Sequence, residues 1–214
     1  MIIKGYNITL KRLTHDDIEL VRQWRNSQTV SRYMEIRDEI SSQQQEEWFK
    51  KINTIEHNYY LIIENDIPVG LIYGSEIDWE KGITGNGGIF LCDEKHFHTD
   101  IPLRAAFAII DTGIALGLKH QYVKVLRDNA RAKFFNKKLG YEILPGEEKN
   151  LNQKYYLEAG HYMKCTRAFK KVMGFENEKV HLWFDDVASP VYRNIVKMHN
   201  RQDQQTRQMV VIHT

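Results

Sequence analysis

Cysteine and proline are scarce in this 214-residue chain, which has two Cys and four Pro. Cys92 and Cys165 lie far apart, so there is no Cys-x-x-Cys pair and no disulfide framework, which fits a reducing compartment. Four Pro and 13 Gly exclude a collagen-like or low-complexity chain. No stretch approaches the ~20 apolar residues that cross a bilayer. Met1-Ile2-Ile3-Lys4-Gly5 is not followed by the apolar segment of a secretory signal. Neither sign of charge dominates: 30 basic residues stand against 28 acidic ones, a net charge of +2. So small a surplus exerts no strong pull on nucleic acid or anionic lipid. Ser-His-Asp spacing, a P-loop and a zinc motif are also missing. The expectation is a soluble, cytoplasmic protein with no nucleic-acid or membrane partner and no metal.

What is present is ordinary globular composition, 42% hydrophobic and 27% charged, which excludes a wholly disordered chain. This length suggests one domain with an extension, able to bury roughly 70–75% of its unfolded surface. Ile8 to Leu13 alternates apolar and polar, as a half-buried strand does. Thr14 caps a predicted helix with Ile18, Val21 and Trp24 on one side, ending at Arg25-Asn26-Ser27. A second helix is expected from about Ser41 to Ile52. Tyr59 to Glu64 and Ile67 to Tyr73 read as a hairpin around Asn65-Asp66, and Gly87 to Cys92 as a further strand. In the helix from Pro102 to Leu118, Leu103, Phe107, Ile110, Ile114 and Leu118 form a stripe that packs on a sheet. Tyr122 to Leu126 is a strand, Asp128 or Asn129 caps the helix Ala130 to Leu139, Gly140 stops it, and Tyr141 to Leu144 is a short strand. After about Cys165 the pattern changes, with helices expected at Ala168 to Phe175 and from Pro190 to His199. The expected boundaries are a domain over 1–165 and a partly helical extension over 166–214. Mixed helices and strands in this order indicate an α/β or α+β domain.

Val125-Leu126-Arg127-Asp128-Asn129-Ala130-Arg131-Ala132, followed by Lys138-Leu139-Gly140-Tyr141, resembles the late motif of the GNAT superfamily of N-acetyltransferases. Gln23-Trp24-Arg25-Asn26, Tyr33-Met34, Ile40-Ser41, Trp48-Phe49 and Ile77-Asp78-Trp79 resemble a narrower branch, the nucleotide-sugar 4-amino N-acetyltransferases of pseudaminic-acid biosynthesis. The similarity covers about residues 5 to 145. It implies a mixed, mostly antiparallel sheet flanked by helices, an acetyl-CoA or other acyl-thioester donor, and a small-molecule amine acceptor. Two strands must splay so that their free backbone groups grip the pantetheine arm. Here those are Ile89-Phe90-Leu91-Cys92 and Tyr122-Val123-Lys124, and a backbone N–H there holds the thioester oxygen as charge develops. His98, Thr99, Arg104 and Asn129 fall at the remaining cofactor-binding positions. Asp78 and Glu76 are the candidate bases, and Arg25, Asn26, Gln45 and Asp78 the candidate acceptor contacts, with an acidic acceptor suited to Arg25 and Asn26.

The chain departs from the family pattern in several places. The pyrophosphate loop, Gln/Arg-x-x-Gly-x-Gly/Ala, is replaced by Phe97-His98-Thr99-Asp100-Ile101-Pro102. Pro102 has no N–H to donate, and Asp100 puts an anion where phosphates should sit. Like charges ~4 Å apart repel by about 1 kcal/mol in water and about 4 kcal/mol at an effective dielectric of ~20. Lys95 and Arg104 offset part of that, and Asp100 suits the N-cap of its own helix. Asn136 stands where many family members carry a proton-donating tyrosine, and Gln45 where the sugar branch tends to carry a histidine.

Each candidate also has a plainer reading: Asp78 as a turn residue, Arg25 and Asn26 as a helix end, Gln45 as a solvated helix face. His96 and His98 share one face if their segment is extended, without an evident third metal ligand. Tyr59, Tyr60, Tyr155 and Tyr156 suit strand packing. The leading expectation is a GNAT-fold N-acyltransferase acting on an amino group, such as that of a nucleotide-linked amino sugar. Its donor is either acetyl-CoA or the arm of an acyl carrier protein. The alternative is a non-catalytic GNAT-like binding domain that does not use acetyl-CoA. Val191, Ile195 and Met198 on the last helix suggest pairing into a homodimer.

Overall fold

The computed structural model describes residues 1–35 and 37–214. Strands β1 (Ile2–Gly5) and β2 (Ile8–Arg12) form a hairpin turned by Tyr6 and Asn7, both at positive φ. Thr14 and Asp17 close a capping box over a 3₁₀ turn that leads into α1 (Ile18–Asn26). The short α2 (Gln28–Ser31) follows. Ser41 then caps α3 (Ser42–Ile52), accepting from the Gln44 N–H at 3.2 Å. Strands β3 (Asn58–Glu64) and β4 (Ile67–Asp78) meet at Asn65 and Asp66, whose φ of 50° and 64° suit a type I′ hairpin. Strand β5 (Ile83–Leu91) starts earlier than its sequence suggests, and β4 runs longer, because the two extend each other's ladder from Asp78↔Ile83 to Gly70↔Leu91.

Helix α4 (Ile101–Ala115) is buried on nearly every side, which its continuous apolar run allows. Strand β6 (His120–Leu126), α5 (Ala130–Leu139), β7 (Glu142–Ile143) and β8 (Asn152–Glu158) follow. Gly140 ends α5 at φ 97°, as its place after the last helical turn predicts.

The extension does not stay apart. Residue 165, where the sequence pattern changes, lies inside α6 (Ala159–Val172). Beyond it come β9 (Val180–Trp183), α7 (Pro190–Asn200), α8 (Gln204–Arg207) and β10 (Val210–His213). β9 pairs antiparallel with β1, and β10 pairs parallel with β9. A single sheet results, ordered β10-β9-β1-β2-β3-β4-β5-β6-β8-β7. Val180, Leu182, Ile195 and Met198 join the same core as Ile3, Leu10 and Phe107. This corrects the expected dimer face: Ile195 and Met198 are buried within their own chain, so they are not free to pair two copies.

One buried charge pair ties the extension down. Lys170 of α6 reaches Asp111 of α4 at 2.7 and 2.9 Å, and the Tyr6 hydroxyl donates to the same carboxylate. The ammonium lies 5.0–5.3 Å from the ring centres of Tyr6, Phe107 and Tyr162.

Candidate active site

β5 and β6 are parallel neighbours that pair only at Ile83↔His120 and Thr84↔Gln121. Beyond that point β5 stays with β4 and β6 with β8, so the two strands diverge. Beside them lies a cavity of about 90 Å³, bordered by Gly87 and Ile89 of β5, Tyr122 and Val123 of β6 and Asn136 of α5, and reaching across to Ile72 of β4 and Ile110 of α4. It is far smaller than the ~300–1,000 Å³ of a typical small-molecule site, and suits a thin chain rather than a nucleotide. Of the expected arm-gripping residues, Ile89 borders this slot. Phe90 points to the other face, edge-on to Trp24 at 6.4 Å, and Leu91 is buried in the core. The Cys92 N–H continues the ladder to Val69 O at 2.9 Å, and burial pushes its thiol pKa up.

The segment expected to hold diphosphate, residues 97–102, makes contacts within the chain. Residues Glu94–His96 form a 3₁₀ turn rather than an extended segment, so His96 and His98 do not share an extended face. Thr99 Oγ1 accepts weakly from the Ile101 N–H at 3.4 Å, Pro102 has no N–H, and the Arg104 N–H bonds Asp100 O at 3.0 Å. The Asp100 side chain does not cap α4 as expected; it accepts from Arg104 Nε at 3.0 Å instead. Arg104 is also held by both oxygens of Glu64, at 2.8 and 3.0 Å, and by Asn7 O at 2.6 Å. Burial works against its charge, but these hydrogen bonds prevail and raise its pKa. Phe97 lies under the Arg131 guanidinium at 3.6 Å, with Tyr33 also 4.8 Å from that guanidinium. His98 is exposed, and Asn129 caps α5 through the Ala132 N–H at 3.0 Å.

The opposite face of the sheet carries a second cluster. Arg25, at the end of α1, lies 5.7 Å from the Trp48 ring of α3. Trp48 stands edge-on to Tyr59 at 5.2 Å, and Tyr59 stacks on Tyr73 at 4.7 Å and 8°. Burial lowers the Arg25 pKa, its nearest polar neighbours being the neutral Tyr59 and Tyr73 phenols, and it makes no ion pair among the described residues. Burial, then the Tyr73 phenol, pushes the Tyr59 pKa up to about 12, and Glu76 adds to it. Glu76 sits at φ 56° within β4, a left-handed conformation that is costly for a non-glycine residue. Gly85 faces it, and a Cβ at Gly85 would come within 3.1 Å of Glu76 Oε2.

The remaining candidates are engaged structurally. The Asn26 amide both donates to Ile40 O at 3.0 Å and accepts from Ile40 N at 2.9 Å. Gln45 is not on a solvated face but fully buried, donating to Ile18 O at 3.0 Å, with Oε1 unpartnered among the described residues. Asp78 caps a turn: the Lys81 N–H donates to it at 3.0 Å and the Lys81 ammonium lies at 2.9 Å. Those contacts, the backbone N–H first, lower its pKa, which is poor tuning for a base. Asn136 is buried, and its side-chain amide donates to Ala132 O at 2.8 Å.

The two halves meet at Gly88 of β5. A Cβ there would lie 2.8 Å from the Tyr73 hydroxyl and ring, so only glycine lets that ring rest on the strand. Gly88 and Tyr73 also border the slot. Sequence reasoning missed the Trp48-Tyr59-Tyr73 stack. The only signal was the alternation that sends Tyr59 to the face opposite Tyr60.

A splayed parallel strand pair beside a central helix is the layout of an acyl-thioester-binding transferase fold. The family model for the acetyltransferase (GNAT) domain matches residues 7–142, and the chain belongs to that family. No curated protein matches it. Among solved structures, one described as apo FdhC, a nucleotide-linked sugar GNAT, aligns with TM-score 0.65 and 18% identity, over 81% of this chain and 99% of that one. Spermidine N-acetyltransferase from Vibrio cholerae, in complex with CoA and spermine, aligns with TM-score 0.64 and 18% identity, over 73% and 98%. A domain from Methanocaldococcus jannaschii DSM 2661 aligns with TM-score 0.63 and 17% identity, over 72% and 99%. Among the described residues, no cluster of His, Cys, Asp and Glu is arranged to hold a metal, and no helix is long and apolar enough to cross a membrane.

Proposed function

We propose that the protein is an N-acyltransferase that moves an acyl group from a thioester to the amine of an acceptor carrying an anionic group, such as a nucleotide-linked amino sugar. The observation that carries this reading is the shared border at Gly88 and Tyr73, where the thioester slot adjoins a cluster holding Arg25 without a carboxylate partner. A desolvated guanidinium favours an anionic ligand. The stacked Tyr59 and Tyr73 offer a flat face to a sugar or base. The fold neighbours described as a nucleotide-linked sugar GNAT and as a spermine-bound acetyltransferase are consistent with an amine acceptor.

In this scheme Glu76 takes a proton from the acceptor ammonium, and the free amine attacks the thioester carbon. Alignment of the two reactants and a backbone N–H on the developing oxyanion supply most of the acceleration. Asn136 has no proton to give, so the thiolate leaves unaided; a thiol pKa of ~8.5 makes that tolerable. Mass spectrometry of a mixture of the protein, S-acetylpantetheine and a uridine-diphosphate-linked amino sugar should show the acetamide. Glu76→Gln should lower its rate roughly 10²-fold or more. No acetamide from either that amino sugar or spermine overturns the scheme.

A second reading, a binding domain without catalysis, is favoured by Asp100 and Pro102 at the mouth of the slot. It predicts no amide from any thioester. Calorimetric titration with acetyl-CoA giving a Kd below ~100 µM, about −5.5 kcal/mol, counts heavily against it.

A further inference from the structure

The donor slot and its mouth are built differently. The splayed strands are in place, yet the diphosphate position is filled by an internal network of Asp100, Arg104 and Glu64, with Phe97 covered by Arg131. A thioester arm fits such a site if it arrives without an attached nucleotide diphosphate.

Immediately beside the mouth, α5 carries Arg131, Lys133, Lys137 and Lys138 and no acidic residue. None of the four makes an ion pair with a carboxylate among the described residues; Arg131 and Lys138 lie over aromatic rings instead. Arg131, Phe134, Lys137 and Lys138 follow one another at i, i+3 and i+4 spacing, so they form a single stripe. Phe134 is 62% exposed at its centre, and Lys138 lies 4.5 Å from its ring centre. An exposed aromatic on a helix face that carries four cations and no ion-paired carboxylate among the described residues suits an acidic protein surface.

Resting on the acyl-transfer reading above, we infer that the donor is an acyl group on the phosphopantetheine arm of an acidic carrier protein that docks on the α5 stripe. The arm's single phosphate stays attached to the carrier at the mouth, so no cradle of backbone N–H groups is needed there. The pantetheine thread passes between β5 and β6 to the Gly88 border. The acceptor ammonium first loses one proton to Glu76. Its nitrogen then attacks the thioester carbonyl carbon, the C–N bond forms and the C–S bond breaks. The second amine proton ends on the departing carrier thiol, giving one amide and one thiol.

The test compares a type II acyl carrier protein in its apo, holo and S-acetyl forms with acetyl-CoA and S-acetylpantetheine, by calorimetry and by acetamide formation. The acetyl carrier should bind at least tenfold tighter than acetyl-CoA and tighter than the apo carrier. Its affinity should weaken as salt is raised. Lys137→Glu combined with Lys138→Glu should weaken carrier binding tenfold or more and leave turnover of S-acetylpantetheine unchanged. Acetyl-CoA binding as tightly as the carrier, or carrier affinity indifferent to the double substitution, overturns the docking proposal. Acetamide from S-acetylpantetheine in that case leaves the acyl-transfer reading standing. Absence of acetamide from every donor removes both.

Discussion

Arg104 and Arg25 lie on opposite faces of one sheet and differ in what surrounds them. Arg104 of α4 is 8% exposed and holds two carboxylates and a backbone carbonyl, at 2.6–3.0 Å. Arg25 of α1 is half-buried, with aromatic rings around it and no carboxylate beside it. The first arrangement is internally complete and contributes to folding. The second leaves a half-buried guanidinium with aromatic neighbours only. The segment expected to meet diphosphate is thus tied to the chain's own carboxylates, whereas Arg25 makes no ion pair among the described residues.

Substituting each arginine should separate the two roles. Arg104→Met removes the cation that binds Glu64, Asp100 and Asn7 O and should cost about 2–3 kcal/mol of stability in urea unfolding. An Arg104→Met protein as stable as the parent would show that the network carries no load. Arg25→Met strands no carboxylate, so stability should move by less than about 1 kcal/mol. Its loss should appear in acceptor binding, where a charge-assisted bond is worth about 1.5–3 kcal/mol, or roughly ten- to a hundredfold in Kd. Equal affinity for the uridine-diphosphate-linked amino sugar before and after that change would remove Arg25 from the acceptor site.

Alkaline unfolding compares the same faces more gently. Burial raises the pKa of Tyr59 and Tyr73 on the acceptor face and of Tyr6 and Tyr162 on the α4 side. These phenols stay protonated in the folded chain while unfolded ones ionise near pH 10. Their stabilisation is therefore intact below about pH 10 and is lost as pH rises further, by up to about 1.4 kcal/mol per pH unit for each phenol. Tyr59→Phe should shallow that slope by one phenol, as read from urea midpoints between pH 8 and 11.5. The smallest expected effect is at the mouth of the slot. Asp100→Gly with Pro102→Gly removes an anion and restores an N–H, and should raise acetyl-CoA affinity several-fold by calorimetry. No gain would mean that the loop is not what limits CoA.

Much of the local structure was legible because its signals are local. Ser41 caps α3, Asn65-Asp66 turns β3 into β4, and Gly140 ends α5, each through the φ or hydrogen bond its residue type favours. The outer strands were not legible. β9 and β10 are four residues each and carry no alternation long enough to read, and they exist because β1 offers them an edge. The site was half legible. Loss of the glycines at 100 and 102 and of a tyrosine at 136 is written in the residues themselves. The cluster of Arg25, Trp48, Tyr59, Tyr73 and Glu76 is not, since its members come from four separate elements.

Residue order by itself determined the helices, the hairpin, the family resemblance and the departure from the resembled loop pattern at 97–102, because each depends on side chains within a few positions of one another. The tertiary structure alone decided that the last fifty residues complete the main sheet, that Arg104 pairs with carboxylates and that Arg25, among the described residues, does not. Those outcomes depend on which distant groups are brought within hydrogen-bond reach once the sheet closes, and no short-range pattern carries that information.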